Sequence, residues 1–149
     1  MIRLLIIAHA PLASALKSVA AHIDQEAADW VGACDVEDHQ SQDDVILEGA
    51  RWLDEKGPGE TLILADAFGA TPCNAARRLG ERPDTRVIAG INLPALWRAV
   101  GHMSEPLDRV AELAVSGGQQ GLMHVSVSRP QYQAVKPNSN DPHQHHHQQ

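Results

Sequence analysis

A histidine and an aspartate each stand directly behind an apolar run: His9 follows "RLLIIA" and Asp66 follows "TLILA". An imidazole beside a carboxylate supports one kind of chemistry well. The carboxylate accepts the proton of one ring nitrogen, which fixes the tautomer and leaves the other nitrogen bare. The bare nitrogen can attack an electrophile, and the same carboxylate stabilises the ring once it carries positive charge. Taken singly, His9 reads equally well as a satisfied loop histidine and Asp66 as a helix-capping acid. Placed together at the ends of buried strands, they define a candidate site.

The residues around them suit an anion. Helix starts near Ala10 and Leu12, and after Thr71, leave backbone N–H groups without intrahelical acceptors. Gly69 carries no side chain and lets backbone approach closely. The Thr71 hydroxyl adds one more hydrogen-bonding group. A histidine nucleophile, an orienting acid and fixed N–H donors together point to acceptance of a phosphoryl group, whose equatorial oxygens gain charge during transfer. Metal chemistry asks for three or four arranged ligands. Beyond Asp66, the only arguable companion for His9 is His124, in the last predicted strand. No metal and no cofactor are therefore expected. His22 and His39 read as surface residues, and His102 as a helix-end residue.

These side chains need a scaffold that brings several strand ends to one edge. "IRLLII" (residues 2–7) is nearly continuous in apolar residues, as in a strand buried on both faces. Pro11 opens a helix with Leu12, Leu16, Val19 and Ile23 at helical spacing. Residues 30–36 predict a second strand, and "SQDDVILEGARWLDEK" a helix with Ser41 and Asp44 as a capping box. Residues 60–65 predict a third strand. Pro72 opens the next helix, residues 85–89 give a fourth strand, and another helix begins near Pro94. A last helix starts from Ser104 as N-cap and stops at Gly117-Gly118, before a final strand over residues 122–128.

Repeated strand–helix alternation predicts an α/β fold: three layers, with a doubly wound, mainly parallel sheet of four strands. The final strand carries polar Ser126 and Ser128 and is expected as an antiparallel edge strand. An exposed edge needs cover, which a second copy can supply across a dimer interface. In such sheets ligands bind beyond the carboxyl ends of the strands, near the point where strand order reverses. The loops "AHAP", "ADAFGATP" and "GINLP" meet there and carry His9, Asp66, Thr71 and Asn92.

Bulk properties set the class. The chain has 149 residues, which predicts one domain over residues 1–130. The Pro-, His- and Gln-rich segment 131–149, with His143, His145, His146 and His147, is expected to be a flexible tail. A formal net charge of -7 argues against nucleic acid or anionic lipid as a main partner. Cys34 and Cys73 form no dense pattern and read as reduced thiols. No apolar run reaches the roughly 18 residues needed to span a bilayer, and no signal peptide is recognisable. A cytoplasmic protein without membrane insertion is expected.

Three segments in order resemble the IIA component of the mannose family of the bacterial sugar phosphotransferase system. "LLIIAHAPLASAL" is similar to the family's phosphohistidine segment, "ILADAFGATPCNAA" to its second active-site loop, and "VIAGINLPAL" to its third. The resemblance covers about residues 1–130. It implies that His9 accepts a phosphoryl group on Nε2 from the phosphohistidine of the carrier HPr, with Nδ1 held by Asp66, and passes it to a IIB protein. It implies catalytic roles for His9, Asp66 and Thr71, and phosphoryl binding at Ala10, Leu12, Gly69 and Thr71. Phe68, Pro72, Asn92, Leu93 and Pro94 are candidate partner contacts. A homodimer that exchanges the strand near residues 124–128 is also implied. The chain departs from the family at Ala10, where Gly is frequent, and at Ala67-Phe68-Gly69-Ala70-Thr71-Pro72, where Leu-Phe-Gly-Gly-Ser-Pro is frequent. The related dihydroxyacetone-kinase phosphocarrier, a purely regulatory relay, a non-catalytic binding module and a small tetrapyrrole chelatase are the alternatives.

Overall fold

Residues 3–9 form β1 because a run of Leu and Ile can bury both faces of a central strand. In the computed structural model, which describes residues 1–128, β1 is followed by α1 (Leu12–Ile23), a single 3₁₀ turn (Ala27–Trp30) and β2 (Val31–Val36). Then come α2 (Gln42–Lys56), β3 (Thr61–Ala65), α3 (Thr71–Leu79) and β4 (Thr85–Ala89). Helices α4 (Leu93–Gly101) and α5 (Leu107–Gln120) complete the order.

All strand pairings are parallel, and the sheet order is β2-β1-β3-β4. The chain therefore steps from β1 to one side, then crosses back to β3 on the other. With crossovers of one hand, the change of direction puts α1 on one face and α2 and α3 on the other. Side chains alternate accordingly. Leu4, Ile6, Ala8, Leu62 and Leu64 pack with α1, α4 and α5 residues such as Ala13, Leu96 and Val110. Leu5, Ile7, Ile63 and Ala65 pack with Val45, Leu53, Cys73 and Leu79 of α2 and α3. Two apolar layers thus fix the sheet, and the reversal point falls between the ends of β1 and β3.

Local signals account for several boundaries. Ser41 and Asp44 close the expected capping box on α2, at 3.1 Å and 2.9 Å. At the opposite pole the buried Arg3 guanidinium donates to the carbonyls of Leu53, Gly57 and Gly59, which ties β1 to the end of α2 and the loop after it.

Several expectations change. Trp30 belongs to the 3₁₀ turn, and β2 begins at Val31. Pro106, not Ser104, holds the N-cap position of α5, and it makes no side-chain cap bond. The glycines 117 and 118 do not end α5, which runs on to Gln120. They serve packing: a Cβ on Gly117 would lie 2.4 Å from Cγ of Arg98 in α4. Residues 122–128 pair with no strand among the described residues, and Leu122, Met123, Val125 and Val127 are exposed. The predicted tail, residues 131–149, lies outside the described residues. No helix among the described residues is long and apolar enough to cross a membrane.

Candidate active site

His9 is the last residue of β1, and Asp66 follows β3 immediately. β1 and β3 are neighbours, with Ile7 opposite Ala65. The pairing therefore delivers the imidazole and the carboxylate to the same point on the sheet edge. Asp66 Oδ2 lies 2.6 Å from His9 Nδ1 and also accepts the His9 backbone N–H at 2.8 Å. Its other oxygen, Oδ1, accepts the N–H of Ala67 at 2.7 Å.

The electrostatics settle who donates. Burial by itself pushes the Asp66 carboxyl up. The hydrogen bonds from the His9 N–H, the His9 ring and the Ala67 N–H, together with the charge of His9, outweigh it and hold the group below its ordinary value. Asp66 is thus a carboxylate and can only accept, so Nδ1 carries the proton. Nε2 makes no hydrogen bond to any described residue. The His9 side chain is 53% exposed and that of Asp66 only 11%. A shielded anion therefore grips one nitrogen of a ring whose other nitrogen is open to attack an electrophile.

The anion donors are distributed differently from the expectation at β1. The Ala10 N–H is not free: it donates to the carbonyl of Val36 at 3.0 Å and extends the β1–β2 pairing by one residue. Leu12 opens α1 and is exposed. Helix α3 has no side-chain cap. Its N–H groups at Thr71 and Cys73 have no acceptor among the described residues, and Pro72 between them has no N–H to offer. The N–H groups of Leu12 and Ala13, in the first turn of α1, likewise have no acceptor among the described residues, so unclaimed donors stand at the starts of both α1 and α3. Thr71 is half-buried in the first turn of that helix. Gly69 has a conformational reason of its own. Its φ is +85°, and a Cβ added there would have no atom within 4 Å.

The candidate contact residues separate into two groups. Phe68 is 81% exposed, and Leu93 is exposed at the start of α4 with Pro94 half-buried behind it. Pro72 is buried, so its side chain is withdrawn from any partner. Asn92 is committed internally. Its Oδ1 accepts from Ala95 N–H at 3.0 Å as the cap of α4, and its Nδ2 donates to Gly118 O at 2.9 Å. Ile91 N–H, bonded to Ala65 O at 3.1 Å, ties this loop to β3. Asn92 therefore positions the third loop instead of presenting a polar surface.

Cys34 and Cys73 are free and buried. Burial first, then Glu48 and Asp35, pushes the Cys34 thiol up to about 12, which keeps it from competing as a nucleophile. Among the described residues no group of three or more His, Cys, Asp or Glu side chains is placed to hold a metal ion. His102 pairs with Glu105 at 2.7 Å and His22 with the Ser18 carbonyl at 2.7 Å, each bonded to a neighbour close in sequence and not to His9. One residue of the site had no signal of its own in the sequence. Asp35, near the end of β2, accepts the N–H of Ser14 in α1 at 3.0 Å.

A histidine held by an aspartate at the switch point of a four-stranded parallel sheet defines a class of α/β carrier domain. Residues 3–114 fit the family described as PTS system fructose IIA component, PTS being the phosphotransferase system. The chain belongs to this mannose-type family of IIA components and is a phosphoryl carrier in a phosphotransferase relay. It is similar to the mannose/sorbose-specific IIA subunit of the phosphotransferase system from Enterococcus faecalis, with 28% identity and a TM-score of 0.77 over 86% of this chain and 97% of that one. It is also similar to the phosphotransferase system component EIIA from Streptococcus agalactiae, with 26% identity and a TM-score of 0.74 over 83% and 97% of the two chains. The IIA protein associated with the fucose utilization operon of Streptococcus pneumoniae shares the fold at 22% identity, with a TM-score of 0.67 over 82% of this chain and 91% of that one. Comparison with curated proteins yields no match.

Proposed function

We propose that His9 is the phosphoryl acceptor, with phospho-HPr as donor and a IIB protein as the next recipient. The observation that carries this reading is the 2.6 Å contact between His9 Nδ1 and the Asp66 carboxylate beneath an exposed ring. The Nε2 lone pair attacks phosphorus in line as the donor's N–P bond breaks, and the donor histidine leaves with that electron pair. The new Nε2–P bond gives a ring that still carries its Nδ1 proton and a positive charge, which Asp66 offsets. Onward transfer breaks Nε2–P and returns the lone pair to His9. The backbone N–H groups of Thr71 and Cys73, with the Thr71 hydroxyl, are the donors best suited to the moving phosphoryl oxygens.

Phe68, Leu12 and Leu93 give the rim an apolar surface on which partner proteins dock. The exposed segment 122–128 supports a homodimer in which it adds to the sheet of a second copy, next to β4, an edge strand among the described residues. The location consistent with this relay is the cytoplasm. Incubation with labelled phospho-HPr tests the reading: label is expected on the parent and absent from His9→Ala. Labelling of His9→Ala at the parental level contradicts it. Release of the label to a IIB protein, rather than to a kinase-bound ADP, identifies the acceptor.

A further inference from the structure

We propose that Asp35 is a positioning residue for His9: it caps α1 from the neighbouring strand and so holds the turn that carries the imidazole. The proposal rests on the reading of His9 as the acceptor and adds a third member to the His9–Asp66 pair.

Helix α1 starts without help from its own sequence. Pro11, at the N-cap position, makes no side-chain cap bond, and the first turn contains no acid. The Ser14 N–H, third in the helix, is the one an N-cap side chain ordinarily takes. Here the acceptor is Asp35 Oδ1, at 3.0 Å, from a residue 21 positions away. The Ser14 hydroxyl is occupied elsewhere, donating to the Pro11 carbonyl at 3.1 Å. A carboxylate at a helix N-terminus also meets the positive end of the helix dipole, so the bond is charge-assisted.

The register explains why an acid at this position reaches α1. Asp35 lies opposite Ala8 and Val36 opposite His9. Val36 O takes the Ala10 N–H at 3.0 Å, and Asp35, one residue earlier in β2, takes the Ser14 N–H in the first turn of α1. The turn from β1 into α1 is therefore tied to β2 at two points, while His9 itself is tied to Asp66 beyond β3. Two aspartates, one in β2 and one directly after β3, accept backbone N–H groups on either side of the turn.

This matters because packing does not fix the ring. At 53% exposure the His9 side chain is placed by its hydrogen bonds and by the backbone it hangs from. A contact of 2.6 Å tolerates little drift of that backbone. When the α1 cap is lost, the turn gains freedom and the Nδ1–Oδ2 bond is made only part of the time. The ring then samples both tautomers, and Nε2 is no longer reliably bare.

The test compares the parent with Asp35→Ala and Asp35→Asn by ¹⁵N NMR of His9, at a pH about two units above the ordinary histidine value of about 6.5. Single-turnover transfer from phospho-HPr is measured beside it. Asn keeps an oxygen acceptor for Ser14 and drops the charge. The parent and Asp35→Asn are expected to show the Nδ1–H tautomer alone. Asp35→Ala is expected to show a mixture and a transfer rate lower by about tenfold or more. Asp35→Ser, with a hydroxyl on a shorter arm, is read the same way as Ala should Asp35→Ala fail to fold.

A single Nδ1–H tautomer and a parental rate in Asp35→Ala overturn the proposal. A mixture in Asp35→Asn equal to that in Asp35→Ala also overturns it, since the effect then belongs to charge and not to the cap. The tautomer comparison needs no donor protein. If the parent takes no phosphoryl group, the functional reading fails while the link between Asp35 and His9 is still decided.

Discussion

Asp66 holds His9 twice with one oxygen: Oδ2 accepts both the backbone N–H, at 2.8 Å, and the ring Nδ1–H, at 2.6 Å. The first bond fixes where the residue sits, and the second fixes how its ring is turned. Because the neighbouring oxygen is pinned by Ala67 N–H at 2.7 Å, the carboxylate cannot swing away to follow solvent. The arrangement needs adjacent parallel strands that end together, which the β1–β3 register provides.

Replacing Asp66 by Ala removes an acceptor of charge-assisted hydrogen bonds worth about 1.5–3 kcal/mol each. Loss of one such interaction in the transition state slows phosphoryl transfer by about 10- to 100-fold. Rapid-quench single turnovers with phospho-HPr measure this, with circular dichroism to confirm that the variant is folded. Equal rates for variant and parent refute the orienting role.

The same carboxylate makes stability depend on pH. Its folded pKa lies below the ordinary value, so its contribution is fully present above about pH 3.9 and is lost as pH falls through the folded value. The parent is therefore expected to lose melting temperature more steeply below about pH 4 than Asp66→Asn, which has no carboxyl to protonate at that site. Thermal melts across the acid range check the difference; parallel curves contradict it.

Much of this was legible from residue patterns. Four apolar runs alternating with helical spacing give the parallel sheet, and the polar residue behind each of two runs gives His9 and Asp66. What the patterns missed depends on neighbours distant in sequence. The Ala10 N–H looks free until Val36 O is placed beside it by the β1–β2 register. Asp35 is an ordinary strand acid until α1 lies over it. Gly117 reads as a helix stop because its partner, Arg98, is on another helix. Pro72 reads as a partner contact, but the layer beneath α3 buries it.

Gly117→Ala tests the α4–α5 contact. The added methyl meets Arg98 Cγ at 2.4 Å and the Pro94 carbonyl oxygen at 3.3 Å, so the Arg98 side chain must move or the two helices must separate slightly. A loss of about 1–3 kcal/mol is expected despite the better helix propensity of Ala. Urea unfolding measures it, and a stabilised variant would show that the helices are not in close contact.

Gly69→Ala probes the second loop. The space for a methyl is open, so the cost is conformational, at φ +85°, and about 1 kcal/mol or somewhat more is expected. Gly69→Asn should cost less, because Asn tolerates this region better. Melting temperatures in the order Gly, Asn, Ala support the assignment, and Ala equal to Gly opposes it.

The most direct measurement is the chemical identity of the phosphorylated atom. After transfer from phospho-HPr, ³¹P and ¹⁵N NMR of the labelled protein should show one phosphoramidate, at Nε2 of His9, with the proton retained on Nδ1 facing Asp66. A phosphoryl group on Nδ1, or on any residue other than His9, would contradict the account.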